Sequence, residues 1–180
     1  MCGALICGKT VMAYARFAAM IATSIVVMFG LMYLNSYSTE HLWFSQTRGW
    51  MALVMGAAMA VIMLGFMLAM YRNTAANVVV VAASVAVFAI SLALVRTQAT
   101  VDDVAYMKAM IPHHSIAILT SERAQIRDPR VRRLADAIIE AQVREIAEMR
   151  RLVADLGQTP VPADAPLLSP AGGTAAPSLR

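Results

Sequence analysis

Three long stretches carry no charge and little polarity. Residues 17–34, 50–70 and 78–95 run 18, 21 and 18 residues without Asp, Glu, Lys, Arg or His. A helix crosses the hydrocarbon core of a bilayer with about 20 apolar residues, so each stretch predicts a membrane span. The first is short but extends back through Val11 to Ala15, and Arg16 can snorkel toward the headgroups. A cleaved signal peptide is the rival reading of this first stretch. It is set aside because no small-x-small site follows at Asn35-Ser36-Tyr37-Ser38 and two further spans come after. Met12 is an alternative start to Met1, which would leave Cys2 and Cys7 outside the chain.

The pattern changes after residue 96. Val104, Met107, Ile111, His114 and Ile118 recur at steps of three and four, the period of one helical face. Pro112 interrupts this run and predicts a kink or a fresh helix start. Asp128-Pro129 is an N-cap followed by a favoured first helical residue. The helix that starts there runs to Leu156 and stops at Gly157. Its expected inward stripe is Val131, Leu134, Ile138, Gln142, Glu145, Met149, Leu152 and Leu156. Beyond it, residues 157–180 hold five of the seven prolines and no apolar period, which predicts a disordered tail.

The expected architecture is therefore all-α. A flank at 1–16 leads into a three-span region at 17–95, then a helical hairpin at 96–156 and the tail at 157–180. Charge placement sharpens this division. Of 26 charged residues, only Lys9, Arg16, Glu40, Arg48 and Arg72 precede residue 96. Lys and Arg in the flanks orient spans with the richer side in the cytoplasm. Lys9, Arg16 and Arg72 put the N-terminus and second loop inside, with the first loop and the hairpin outside. In a bacterial cell that is the cytoplasmic membrane, with the hairpin periplasmic or extracellular. Tyr33, Tyr37, Trp43, Phe44 and Trp50 cluster around the first loop, where aromatic rings favour the headgroup layer.

Several function classes drop out. The net charge of +4 is small and scattered, unlike a nucleic-acid footprint. The spans lack the ionisable groups that ion-coupled carriers need at membrane depth, so they read as an anchor in the lipid bilayer. No phosphate-cradling glycine loop is present, and Cys2 and Cys7 form no CxxC clamp. A di-iron site needs Glu-x-x-His on two helices, but no histidine here has a Glu three residues before it. No enzymatic role is expected.

The hairpin carries the chemistry. A turn near Arg127 and Asp128 sets Met107 level with Met149, Met110 with Glu145 or Ile146, and His114 with Gln142. Met110, His113 and His114 are neighbours at i, i+3 and i+4. Out-of-pattern residues of both helices thus converge. Imidazole and thioether together suit Cu(I) or Ag(I). The competing reading is a buried polar network in which Gln142 and Glu145 satisfy the histidines and set register. His41 reads as a solvated loop residue. Met51, Met55, Met59, Met63 and Met67 form a slowly winding stripe on the second span, either a thioether track or flexible packing filler.

Met110-Ile111-Pro112-His113-His114, followed by Gln142-Val143-Arg144-Glu145-Ile146-Ala147-Glu148-Met149, resembles the bacterial domain-of-unknown-function 305 family. The family's pattern is M-I-x-H-H, then Q-x-x-E-I-x-x-M on the next helix. The resemblance spans residues 101–156, and the Met-rich span with its aromatic first loop is similar to membrane-anchored members. It implies a ferritin-like bundle outside the cytoplasmic membrane and a link to copper or silver through Met107, Met110, His113, His114 and Met149. Gln142 and Glu145 would be supporting residues. Fuller members carry the His-His/Gln-Glu unit twice, giving four helices. This chain carries it once, so a homodimer of hairpins is the simplest closed bundle.

Overall fold

The computed structural model describes residues 2–162 and 164–168, with side chains from Val11 onward. Those residues form five α-helices: α1 Cys2–Leu31, α2 Gln46–Phe66, α3 Thr74–Thr97, α4 Asp103–Arg123 and α5 Pro129–Gln158. A 3-10 turn, Thr39–His41, lies in the α1–α2 connection. Among the described residues there is no strand. The side chains of Cys2 and Cys7, and residue 163 and 169–180 of the expected tail, lie outside the description.

Three segments are long and apolar enough to cross a membrane: Val11–Leu31, Gln46–Phe66 and Thr74–Thr97. Each holds most of one charge-free stretch. The second stretch outruns its helix, because residues 67–70 turn, with the Met70 N–H donating to the Met67 carbonyl at 2.9 Å. Side-chain caps set the helix starts. Ser45 Oγ accepts the Arg48 N–H at the head of α2, and Asn73 Oδ1 accepts the Ala76 N–H at the head of α3. Such caps satisfy amides that have no partner inside the helix.

The spans pack through small residues. Ala52, Gly56, Ala60 and Leu64 form a buried line at four-residue spacing on α2. A Cβ added at Gly56 would overlap Ile25 Cγ1 and Cδ1 of α1. Close approach over glycine is how helices gain van der Waals contact where lipid supplies no hydrophobic drive. At the opposite end, Phe17, Ala60, Leu64 and Tyr71 form a second cluster, with Met63 and Met67 packed against it. Tyr14 Oη donates to Asn77 Oδ1 at 2.6 Å and ties α1 to the start of α3.

α4 and α5 pack along each other around Met107, Ile111, Ile118, Ile146 and Met149. α4 is continuous through Pro112. The helix does not restart at Pro112, which is fully buried in the packed face. Asp128 and Pro129 open α5 as expected, with Asp128 Oδ1 accepting the Arg130 N–H at 2.7 Å. Gly157 does not stop α5, which runs on through Gln158. The inward stripe of α5 is also shifted. Ala135, Ile146 and Met149 are buried, and Ile139, Val153 and Leu156 pack beside them. Val131, Leu134 and Leu152 stay 48%, 62% and 45% exposed.

The Gly56 contact gives a direct expectation. Gly56→Ala forces Ile25 from its rotamer and should destabilise the detergent-solubilised chain by about 1–3 kcal/mol, as overpacking does. Ile25→Ala in the same chain should relieve most of that loss. Thermal unfolding of the two single variants and the double variant measures the coupling. Additive losses would refute the contact.

Candidate functional site

The sequence singles out seven residues; the structure places six of them on two cavities and Gln142 on neither. Met107, Met110, His114 and Met149 line one cavity of about 600 Å³, together with Glu145. Their chain spacing explains this: all four ring-and-thioether groups lie on the turns where α4 faces α5. His113 points elsewhere. It is exposed and lines a separate cavity of about 380 Å³ between α4 and the ends of the spans. The two imidazoles are 6.1 Å apart between centroids, with planes at 88°. Adjacent helical residues are about 100° apart around the axis, which accounts for the split. Met110 lines both cavities.

His114 meets Glu145 rather than Gln142, with Nε2 3.6 Å from the carboxylate. That distance is too long for a hydrogen bond. Burial holds His114 below its ordinary value of 6.5, with His113 adding to the effect and Glu145 opposing it. His114 is therefore neutral at pH 7, and its contact with Glu145 is not an ion pair there. His114 Nδ1 and Gln142 Oε1 are buried without a hydrogen-bond partner among the described residues. Gln142 thus does not satisfy the histidine in the way its spacing suggests.

Among the described residues, no three His, Cys, Asp or Glu side chains converge as a metal-holding group. The groups that do converge on the larger cavity are three thioethers and one imidazole, a soft donor set. Glu145, Glu148 and Asp103 also line it.

The best-connected polar cluster centres on Ser115. Its side chain is fully buried at 0% exposure. Ser115 Oγ accepts the Tyr37 N–H at 2.8 Å and lies 2.9 Å from His41 Nδ1. A serine oxygen has one proton and two lone pairs, so after accepting from Tyr37 it suits either tautomer of His41, and that tautomer sets the direction of the contact. His41 is not a solvated loop residue. Burial lowers its pKa below 6.5, Arg150 lowers it further, and Glu40 opposes them. Around this centre, Arg150 Nη1 donates to Glu40 Oε2 at 3.3 Å, and Trp43 packs on the α4–α5 core. Trp43 is thus a core element, and its Nε1–H donates to the Glu40 carbonyl at 3.0 Å. Ser115 falls four residues after Ile111 and three before Ile118. A polar residue at that inward position was the available signal.

Residues 103–177 match the family model described as Domain of unknown function (DUF305), so a domain of that family is present. Over 61 residues the chain is 46% identical to an uncharacterized protein of Acanthamoeba polyphaga mimivirus. That stretch is 33% of this chain and 40% of the mimivirus protein, so the similarity spans less than half of either. No solved structure matches the chain.

The Ser115 cluster sets a pH dependence. His41 and His114 have depressed folded-state values, so the folded chain binds fewer protons than the unfolded chain below about 6.5. Their contribution is present above 6.5 and is lost as pH falls through the depressed values. The melting midpoint should hold steady from pH 8 to 7 and fall on acidification. Asparagine at both histidines should flatten that fall. Ser115→Ala should cost about 1–3 kcal/mol at pH 7.5, because it leaves the Tyr37 N–H without its acceptor. An unchanged midpoint in Ser115→Ala would refute the cluster's role.

Proposed function

We propose that this chain is a membrane-anchored interaction module. In this reading three spans hold an α4–α5 hairpin at the bilayer surface, and buried polar contacts set its register. The observation that carries the reading is the Ser115 cluster, which seats the first loop on α4. We assign the chain no catalytic role.

The surface left for a partner is the apolar line Val131, Leu134 and Leu152 on α5, with Tyr106 on α4. A pair of helices has one layer partner each and cannot enclose its own apolar faces. The partner we propose is a second copy, giving a ferritin-like four-helix bundle with a twofold axis. The membrane is the bacterial cytoplasmic membrane, with the N-terminus inside and the hairpin periplasmic or extracellular. The first loop and α4 touch, so they belong on one side, as three spans require. A reporter active only outside the cytoplasm should be active when fused after Leu156. Activity of a cytoplasm-only reporter there would sink this orientation.

A second reading rests on the larger cavity. Met107, Met110, Met149 and His114 edge one space, and these donors fit Cu(I) or Ag(I). The chain would then hold or pass a soft metal at the membrane surface. His113 lies on the other cavity and contributes only if its ring swings over.

Incubating the full chain in detergent with Cu(I) or Ag(I), then removing excess metal, separates the two. The module reading expects no stoichiometric metal and a dimeric mass by sedimentation with or without it. The metal reading expects about one ion per chain or per pair, lost on Met110→Leu and Met149→Leu. A metal-free, monomeric chain would refute the dimer.

A further inference from the structure

The smaller cavity has its own chemistry. It opens where the three spans end together: Met32 follows the last turn of α1, Thr47 and Arg48 lie in the first turn of α2, and Gln98 caps α3. Thr47 Oγ1 donates to Gln98 Oε1 at 3.2 Å and joins two of those ends. This is the depth at which a bilayer places its phosphates. α4 roofs the cavity with Ala109, Met110 and His113.

The polar lining is one-sided. Arg48 supplies a full positive charge, and Asn35, His113 and the second side-chain N–H of Gln98 supply donors, the Thr47 proton being given to Gln98. Among the described residues no carboxylate lines the space. Arg48 is held in place. Its Nη1 donates to the Met32 carbonyl at 2.7 Å, and the guanidinium lies 4.4 Å over the Tyr33 ring. Its other N–H donors have no protein acceptor among the described residues. A pre-positioned guanidinium with free donors suits a phosphate oxygen.

The lower wall is apolar. Met32 and Met51 line it, and Met51 and Met55 are exposed one turn apart on α2. They lead from the cavity along the helix into the hydrocarbon. A ligand that fills the whole site therefore has a phosphate at one end and an acyl chain at the other.

We infer that this cavity, between Arg48 and the α4 roof, binds the headgroup of an anionic phospholipid whose chain runs along Met51 and Met55. The site is distinct from the Met-lined cavity between α4 and α5. Bound lipid would brace α4 against the spans beside the Ser115 contact.

The full chain, purified in a neutral detergent, can be titrated with phosphatidylglycerol, phosphatidylcholine of the same acyl chains, or inorganic phosphate. Retained lipid is read by native mass spectrometry and stabilisation by the melting midpoint. Phosphatidylglycerol should stay bound and raise the midpoint, and phosphatidylcholine should do neither. Arg48→Gln should weaken phosphatidylglycerol roughly tenfold, the loss of one charged hydrogen bond. Ala109→Phe fills the cavity from above, keeps the charge and should weaken it as much. It decides the case if Arg48→Gln fails to fold. Equal binding of the two lipids, or retention unchanged in the folded variants, would overturn the site. Inorganic phosphate matching the lipid's effect would show a soluble-anion site and overturn the lipid assignment.

Discussion

The arrangement depends on one buried hydroxyl. Ser115 sits fully buried between Ile111 and Ile118 on the inward face of α4. Its oxygen meets a backbone amide and an imidazole of the first loop. Inside the protein such bonds are stronger than in water, and leaving either partner unmade costs more than the bond contributes. The loop therefore has one seating on α4, and everything placed by that seating follows from it. Trp43 reaches the α4–α5 core, Glu40 reaches Arg150, and the ends of the spans are drawn under α4. The Glu40–Arg150 pair is exposed and adds little by itself. Its value is positional, since Arg150 also helps keep His41 neutral.

This contact offsets a weakness of the α4–α5 pair. Two helices bury one shared face, and each leaves the remainder to solvent. The loop supplies a partial third layer through Trp43, over Met107, Ile111, Ile118, Ile146 and Met149. The spans show the same economy in a different solvent. α3 exposes most of its apolar surface, including Val78, Val79 and Ile90. A face that apolar is an aggregation hazard in water and an ordinary surface in lipid. One chain thus uses two packing rules, close approach over Gly56 in the spans and aliphatic packing between α4 and α5, with the first loop pinned on α4 at Ser115.

Much of this was legible in the sequence because it rests on local rules. Long charge-free stretches give apolar helices, and Asp128-Pro129 opens α5. The inward face of α5 was harder to read. Val131, Leu134 and Ile138 are larger than Ala135 and look like the better stripe, yet Ala135 is buried and Leu134 exposed. Small residues let helices approach, so a stripe chosen by bulk misses the side of closest contact. On that face Glu145, not Gln142, comes to His114. The separation of His113 from His114 follows from helix geometry, but which cavity each meets needed the positions of the span ends. The loop contact lay beyond sequence reasoning, because it joins residues 74 and 78 positions apart.

The methionines show why composition alone was a poor guide to chemistry. On α2 they divide by neighbour rather than by spacing. Met63 and Met67 pack against the Phe17–Tyr71 cluster, where a flexible thioether fills irregular space between rings. Met51 and Met55 face outward in the first half of α2. Met107 and Met149 are core residues of the α4–α5 pair, and their sulfurs edge the larger cavity only because the helices leave it open. A metal relay would need these groups in succession, yet the stripe divides midway along α2 between lipid-facing and packed positions. Tyr106 and Met110 both border the two cavities, so coupling between the headgroup level and the α4–α5 pair passes through those two side chains. A ligand in either space constrains their rotamers, and the two cavities are physically linked without sharing a charged residue.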